Sequence, residues 1–174
     1  MPEKTGNRNT LDRAVGFVQA FAKDQGGGAD MTPEERAERS AQAMWADDRA
    51  SKWLGAQIDQ IGPGRAVMSM QVQDHHLNGH GICHGGYIFT LADSAFAFAC
   101  NSHNTLVVAQ ENTITFLAPG QGGERLTATA TEVSLTGRTG VYDVVVTGSD
   151  GRKVALFRGL SRQVSGQHFQ EDET

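Results

Sequence analysis

Between His75 and Gln110 the chain carries one Asp, Glu, Lys or Arg, and it is Asp93. That acid lies inside Gly86-Tyr-Ile-Phe-Thr-Leu-Ala-Asp-Ser-Ala-Phe-Ala-Phe-Ala-Cys-Asn101, a run that reads as a helix apolar on nearly every face. A helix of this kind has to be enclosed by the rest of the fold. Burying an unpaired carboxylate is costly or forces its pKa upward, so Asp93 needs a partner or a purpose. Just upstream stands Asn78-Gly-His-Gly-Ile-Cys-His-Gly-Gly86. A glycine-rich turn opening into an enclosed helix with a single acid is the layout of an active site.

The segments around this helix are strand-like. Ala56–Ile61 and Arg65–Val72 are separated by Gly62-Pro-Gly64, a turn signal. After an irregular polar loop over Gln73–Cys83 and the helix itself, over roughly Gly85–Ser102, come Thr105–Leu117, Arg125–Leu135, Gly140–Thr147 and Arg152–Gln163. Pro119-Gly120, Thr136-Gly137 and Ser149-Asp150-Gly151 punctuate them. Ahead of the strands, Thr32-Pro-Glu-Glu35 is a helix start with N-cap, first-turn proline and capping glutamate. This helix runs to about Ala46, with Ala37, Ala41, Met44 and Trp45 inward. The order predicts an α+β domain, an antiparallel sheet wrapped around one long central helix with an extra N-terminal helix. Residues 1–31 read as an extension, with a short amphipathic helix over Thr10–Lys23 and a flexible Gln25-Gly-Gly-Gly-Ala-Asp30 linker. The domain spans 32–164, and a polar tail over 165–174 is expected to be disordered.

With 174 residues, 39% of them hydrophobic, the chain is long enough to build one core of its own. A net charge of −5 gives no reason to expect nucleic acid, and no run reaches the ~20 apolar residues of a membrane span. The start, Met1-Pro-Glu-Lys-Thr-Gly-Asn-Arg8, has no apolar signal core, which points to the cytoplasm. Two cysteines, Cys83 and Cys100, make no disulfide framework and fit a reducing compartment.

Asn78…Cys83-His-Gly-Gly86, Leu91-Ala-Asp-Ser-Ala-Phe-Ala97, Phe116-Leu-Ala-Pro-Gly120, Thr139-Gly-Val-Tyr-Asp143 and Ala155-Leu-Phe-Arg-Gly159 occur in that order. Over Trp45–Val164 the chain resembles the hotdog-fold acyl-CoA thioesterases, most closely their phenylacetate-degradation (PaaI-type) branch. The resemblance implies hydrolysis of aryl-acyl-CoA thioesters such as phenylacetyl-CoA or its hydroxylated forms, releasing CoA trapped in dead-end intermediates of aromatic degradation. It also implies a homodimer with shared active sites, commonly paired into a tetramer. No metal or redox cofactor is called for, coenzyme A being part of the substrate.

Thioester hydrolysis needs a polarised carbonyl and an activated water or nucleophile. The N–H groups of Gly85 and Gly86, at the start of the helix, are expected to have no intrahelical partner and to sit at the positive end of its dipole, where a developing oxyanion is stabilised. Asp93 is the expected general base or nucleophile, its basicity raised by its apolar setting. Gly85 and Asp93 are eight positions apart, about 12 Å along one helix. Both have to come within roughly 3–4 Å of the same thioester. Two antiparallel copies of the helix across a two-fold axis bring Gly85 of one copy to Asp93 of the other, so the spacing argues for an obligate dimer.

Asn78 matches a family position beside the oxyanion glycine, and Asn78-Gly79 is also an ordinary turn. His84 either orients the loop or lines the pocket. Glu111 and Asn112, on the strand beside the helix, are auxiliaries by family analogy. Family analogy also places the turn Arg138, Thr139 and Gly140 near the CoA nucleotide, and Arg158 and Arg162 are other candidates for its phosphates. Tyr87, Phe89, Phe96 and Trp53 are candidates for an acyl pocket or for plain core. His75, His76, His80, Cys83 and His84 raise a zinc site, but their spacing fits no zinc pattern. The remaining alternatives are a hotdog dehydratase and a domain that binds acyl thioesters without hydrolysing them.

Overall fold

Thr32 starts the first helix as its sequence predicts. In the computed structural model, which describes residues 31–171, Thr32 Oγ1 accepts the Glu35 N–H at 3.1 Å and the Glu35 carboxylate accepts the Thr32 N–H at 2.8 Å. With Pro33 in the first turn this closes a capping box on α1, Pro33–Asp47. The helix expected over Thr10–Lys23 and the linker after it lie outside the described residues. A short second helix follows, α2, Arg49–Trp53, which the sequence reading did not anticipate. Its cap is Asp48, whose Oδ1 accepts the Ser51 N–H at 2.9 Å.

Six antiparallel strands make one sheet: β1 Ala56–Gly62, β2 Arg65–Gln71, β3 Val107–Phe116, β4 Arg125–Thr136, β5 Thr139–Thr147 and β6 Lys153–Gln163. Their spatial order is β1-β2-β4-β5-β6-β3. The central helix α3, Gly85–Cys100, enters the chain between β2 and β3, and β3 then pairs at the far edge of the sheet. The wrapped α+β arrangement expected from the order of elements is the one found.

Side-chain size explains how the helix nests. The sheet offers Ala66, Ala128, Ala130 and Ala155 beside the larger Met68, Leu126, Val144 and Val146, and α3 fills the space with Leu91, Phe96 and Phe98. Phe96 reaches the backbone of β6 itself. A Cβ added at Gly159 would stand 2.8–2.9 Å from three carbons of the Phe96 ring. Gly159→Ala is therefore expected to overpack the core and cost about 1–3 kcal/mol. Denaturant unfolding measures the loss, and adding Phe96→Leu should return part of it.

Two expectations need correction. Residues after Val164 are not loose: the chain packs as far as Glu171. Asn104, in the left-handed region at φ 58°, accepts the N–H groups of His168 and Phe169 at 3.1 and 3.2 Å and donates to Phe169 O. Glu171 then pairs with Arg36 of α1 at 2.7 Å. Nor is α3 enclosed all round. Gly86, Thr90, Asp93 and Ala97, at spacings of four, three and four, form a stripe that a single chain leaves partly open. The strand that borders this opening, β3, is mostly exposed, with Val108 and Phe116 each half exposed.

Candidate active site

The loop before α3 is tied down along its length. His84 N–H donates to His76 O at 2.8 Å, Asn78 N–H to Ile82 O at 2.9 Å and Cys83 N–H to Gly120 O at 2.8 Å. The Asn78 Oδ1 accepts the His80 N–H at 2.8 Å, so the turn reading of Asn-Gly is correct for that atom. Its Nδ2 makes no bond among the described residues and is the end left to offer a ligand.

His84 is the N-cap of α3, and its Nδ1 accepts the Gly86 N–H at 2.9 Å. Neither glycine amide has an intrahelical partner, as expected, but the side-chain cap leaves only one of the two open. Gly86 is occupied by the cap, and among the described residues the Gly85 N–H alone of the pair finds no acceptor. His84 thereby holds the turn into the helix, and it also lines a cleft with Tyr87 and Thr90. Asn78 and Gly85 line one cleft of about 460 Å³ with Ile82, Cys83, Ile88 and Phe116. Phe116, quoted above only as part of a motif, packs its ring on Gly85: a Cβ there would lie 2.9 Å from Phe116 Cζ. The donor is thus set in an apolar wall, where a hydrogen bond to a developing charge gains strength.

Asp93 stands two turns further along α3, half-buried, and lines no part of that cleft. Desolvation lifts its pKa above the ordinary carboxylate value, and one hydrogen bond partly counters the rise. The donor is Asn112 Nδ2 on β3, 2.7 Å from Asp93 Oδ1. Its neighbour Glu111 is exposed and makes no bond to Asp93. A bulge between Ala109 and Glu111 sets this choice. It lets Val107 and Ile114, seven residues apart, both turn toward the core, and Asn112 shares the side of Ile114.

The residues expected to hold CoA make contacts of their own within the chain. Arg138, at the β4–β5 turn, donates from Nε and Nη2 to Gln163 O at 3.3 and 2.9 Å. Thr139 begins β5 and pairs with Arg162 across the ladder. Gly140 is a packing glycine, since a Cβ there would meet Ser161 Oγ at 2.6 Å and the Tyr142 ring at 2.7 Å. Arg158 is held by both oxygens of Asp143, at 2.6 and 2.7 Å. None of the four lines either cleft at the start of α3. Among the acyl-pocket candidates, Phe96 is core, packed edge-on to Tyr142, and Phe89 likewise meets Phe157 edge to face. Tyr87 lines a second cleft with His75, His84 and Thr90, and the exposed Trp53 packs against both His75 and Tyr87. Among the described residues no three His, Cys, Asp or Glu side chains are placed to share a metal ion.

Residues 80–155 match the model of the thioesterase superfamily. Over 131 residues the chain is 46% identical to the acyl-coenzyme A thioesterase PaaI of Escherichia coli K12, covering 75% of this chain and 94% of that protein. The solved structure of the E. coli PaaI protein from the phenylacetic acid degradation operon superposes with a TM-score of 0.77 at 44% identity, over 78% of this chain and 99% of that one. The smu.793 protein of Streptococcus mutans UA159, solved bound to acetyl-CoA, has a TM-score of 0.62 at 28% identity, over 64% of this chain and 90% of that one. The chain belongs to the thioesterase superfamily and is a hotdog-fold homologue of the PaaI acyl-coenzyme A thioesterases, enzymes that hydrolyse thioesters.

Proposed function

We propose that this protein hydrolyses aryl-acyl-CoA thioesters, phenylacetyl-CoA and its ring-hydroxylated forms above all, at two sites shared between two copies of the chain. One observation carries the reading. The free amide of Gly85 and the carboxylate of Asp93 belong to one helix yet to no common cleft. A second, antiparallel copy seated on the open stripe of Gly86, Thr90, Asp93 and Ala97 brings each amide to the other chain's acid. The exposed edge of β3 lies beside that stripe, and an unpaired strand edge is a natural place for a second copy to join.

In this reading the thioester oxygen takes the Gly85 N–H and the Nδ2 of Asn78. Asp93 of the other copy removes a proton from water as the water oxygen attacks the carbonyl carbon. The C–S bond then breaks and the departing sulfur receives that proton from Asp93, giving a carboxylic acid and free CoA. No metal or redox group is required. The aryl preference rests on the PaaI likeness and on the aromatic wall of Trp53, His75 and Tyr87 beside the second cleft. We further propose a cytoplasmic enzyme whose dimers pair into tetramers. No helix of the described residues is long and apolar enough to cross a membrane.

Thiol release from phenylacetyl-CoA and its hydroxylated forms, set against a straight-chain acyl-CoA, tests the activity. The expected result is a higher kcat/KM on the aryl substrates. Equal rates on all would overturn the aryl preference, and no hydrolysis of any thioester by folded protein would replace hydrolysis with thioester binding alone.

A further inference from the structure

Asparagines placed for structure in this protein use both ends of their amide. Asn101 donates from Nδ2 to Ala97 O and Val107 O, while its Oδ1 accepts the Val107 N–H at 2.9 Å and bonds His168 Nε2 at 2.7 Å. Asn104 does likewise, with two acceptors on its Nδ2 and two N–H donors on its Oδ1. Asn112 is different. Its Nδ2 reaches Asp93 Oδ1 at 2.7 Å, and its Oδ1 is buried with no hydrogen-bond partner among the described residues. A buried, unpaired carbonyl is a cost that a strand residue chosen for stability would avoid. Among the described residues, the only side-chain bond Asn112 makes is to the acid.

Its surroundings are arranged for that contact. The bulge between Ala109 and Glu111 turns it to the helix side of β3. Across the ladder it pairs with Gly159, which has no side chain to compete for the space. The amide cannot ionise and offers Asp93 a donor at every pH, whereas the remaining carboxylate oxygen has no partner among the described residues.

We propose that Asn112 is the positioning residue of the hydrolytic base: its Nδ2–H fixes one oxygen of Asp93 and presents the other oxygen to water. The proposal rests on Asp93 acting as the base in the function proposed above. The chemistry is unchanged: water gives its proton to the free Asp93 oxygen and its hydroxyl to the acyl carbon, and the proton passes to the leaving sulfur. A donor held on the carboxylate favours its charged form, so losing the donor raises the pH at which the base is half ionised. Cys100, two turns along α3, is the one other described titratable group that senses Asp93; buried and pushed up to about 12, it stays a thiol across the range tested.

The test compares wild type, Asn112→Leu and Asn112→Asp. Leu keeps much of the shape and removes the donor, and Asp keeps the shape and sets a second carboxylate against the first. Two readouts are taken: the pH dependence of kcat for thiol release, and the titration of the Asp93 carboxyl carbon by NMR. The acid limb of kcat and the Asp93 midpoint are expected to rise together in the order wild type, Asn112→Leu, Asn112→Asp. At a pH below the shifted limb, kcat should fall on the order of 10- to 100-fold with a smaller change in KM. An active wild type whose limb and midpoint stay fixed in both folded variants would overturn the proposal and leave the proposed function intact. A midpoint that moves without kcat would make the contact structural and overturn it as well. A wild type that hydrolyses no thioester sinks the function itself, an outcome distinct from the other two.

Discussion

Asp93→Asn is expected to lower kcat for thiol release by about 10²- to 10⁴-fold, the range a positioned general base supplies. The change is nearly isosteric, and an amide oxygen at the same place still accepts the Asn112 Nδ2–H, so the fold should stand. Its stability should in fact rise. Desolvation lifts the folded pKa of Asp93 above its ordinary 3.8, which means that the folded chain binds this proton more tightly than the unfolded chain does. The ionised acid therefore opposes folding, and that penalty appears as pH climbs from about 4 through the raised value and persists above it. Asp93→Asn removes the charge and should melt higher than wild type at pH 7, with the gap closing as pH falls toward 4. The same sign governs the rate: kcat should rise along an acid limb centred above the ordinary carboxylate value. Loss of activity joined to gain of stability separates a working acid from a structural one, whose removal would lower both.

Gly85→Pro is expected to cost about 10²- to 10³-fold in kcat, the effect of deleting one donor from an oxyanion site. Gly85 is the first residue of α3 after the His84 cap, the place where proline fits a helix best. The residue before a proline has to be extended, and His84 already is, at φ −64° and ψ 134°. The substitution therefore removes the N–H while keeping the helix start. The new ring meets the far end of the half-exposed Phe116 side chain, which has to shift. Gly85→Ala brings the same Cβ contact but keeps the N–H, so it measures the steric share. Gly85→Ala retaining most of the activity that Gly85→Pro loses assigns the loss to the donor. Circular dichroism and a thermal melt confirm that both variants fold.

The central helix, the order of the strands and the start of α1 are legible in the chain because their signals are local. Glycine and proline punctuate the strands at Gly62-Pro-Gly64, Thr136-Gly137 and Ser149-Asp150-Gly151, and the capping box spans four residues. Asp93 stands out by chemistry alone. What escapes a sequence reading depends on contacts between distant parts. The tail packs as far as Glu171 because the left-handed Asn104 clasps residues more than sixty positions away. Five-residue α2 is too short for a period, and its buried Ser51 bonds Ser94 of α3 at 2.9 Å. The choice of Asn112 over Glu111 turns on a bulge, because one extra residue reverses which side chains face the helix. The occupation of Gly86 by its own N-cap depends on the rotamer of His84. Arg138 and Arg158 are cationic in any reading, yet only the fold reveals Gln163 and Asp143 as their partners.

The shared site is most directly tested by mixing two inactive proteins. Asp93→Asn and Gly85→Pro chains are refolded together at equal amounts, and thiol release from phenylacetyl-CoA is compared with each variant alone. In a site built from Gly85 of one chain and Asp93 of the other, every mixed dimer holds one doubly damaged site and one intact site. Random pairing makes half the dimers mixed, so about a quarter of the wild-type rate should return. A mixture no more active than its parts, with subunit exchange confirmed by mass spectrometry, would contradict the account and return both residues to one chain.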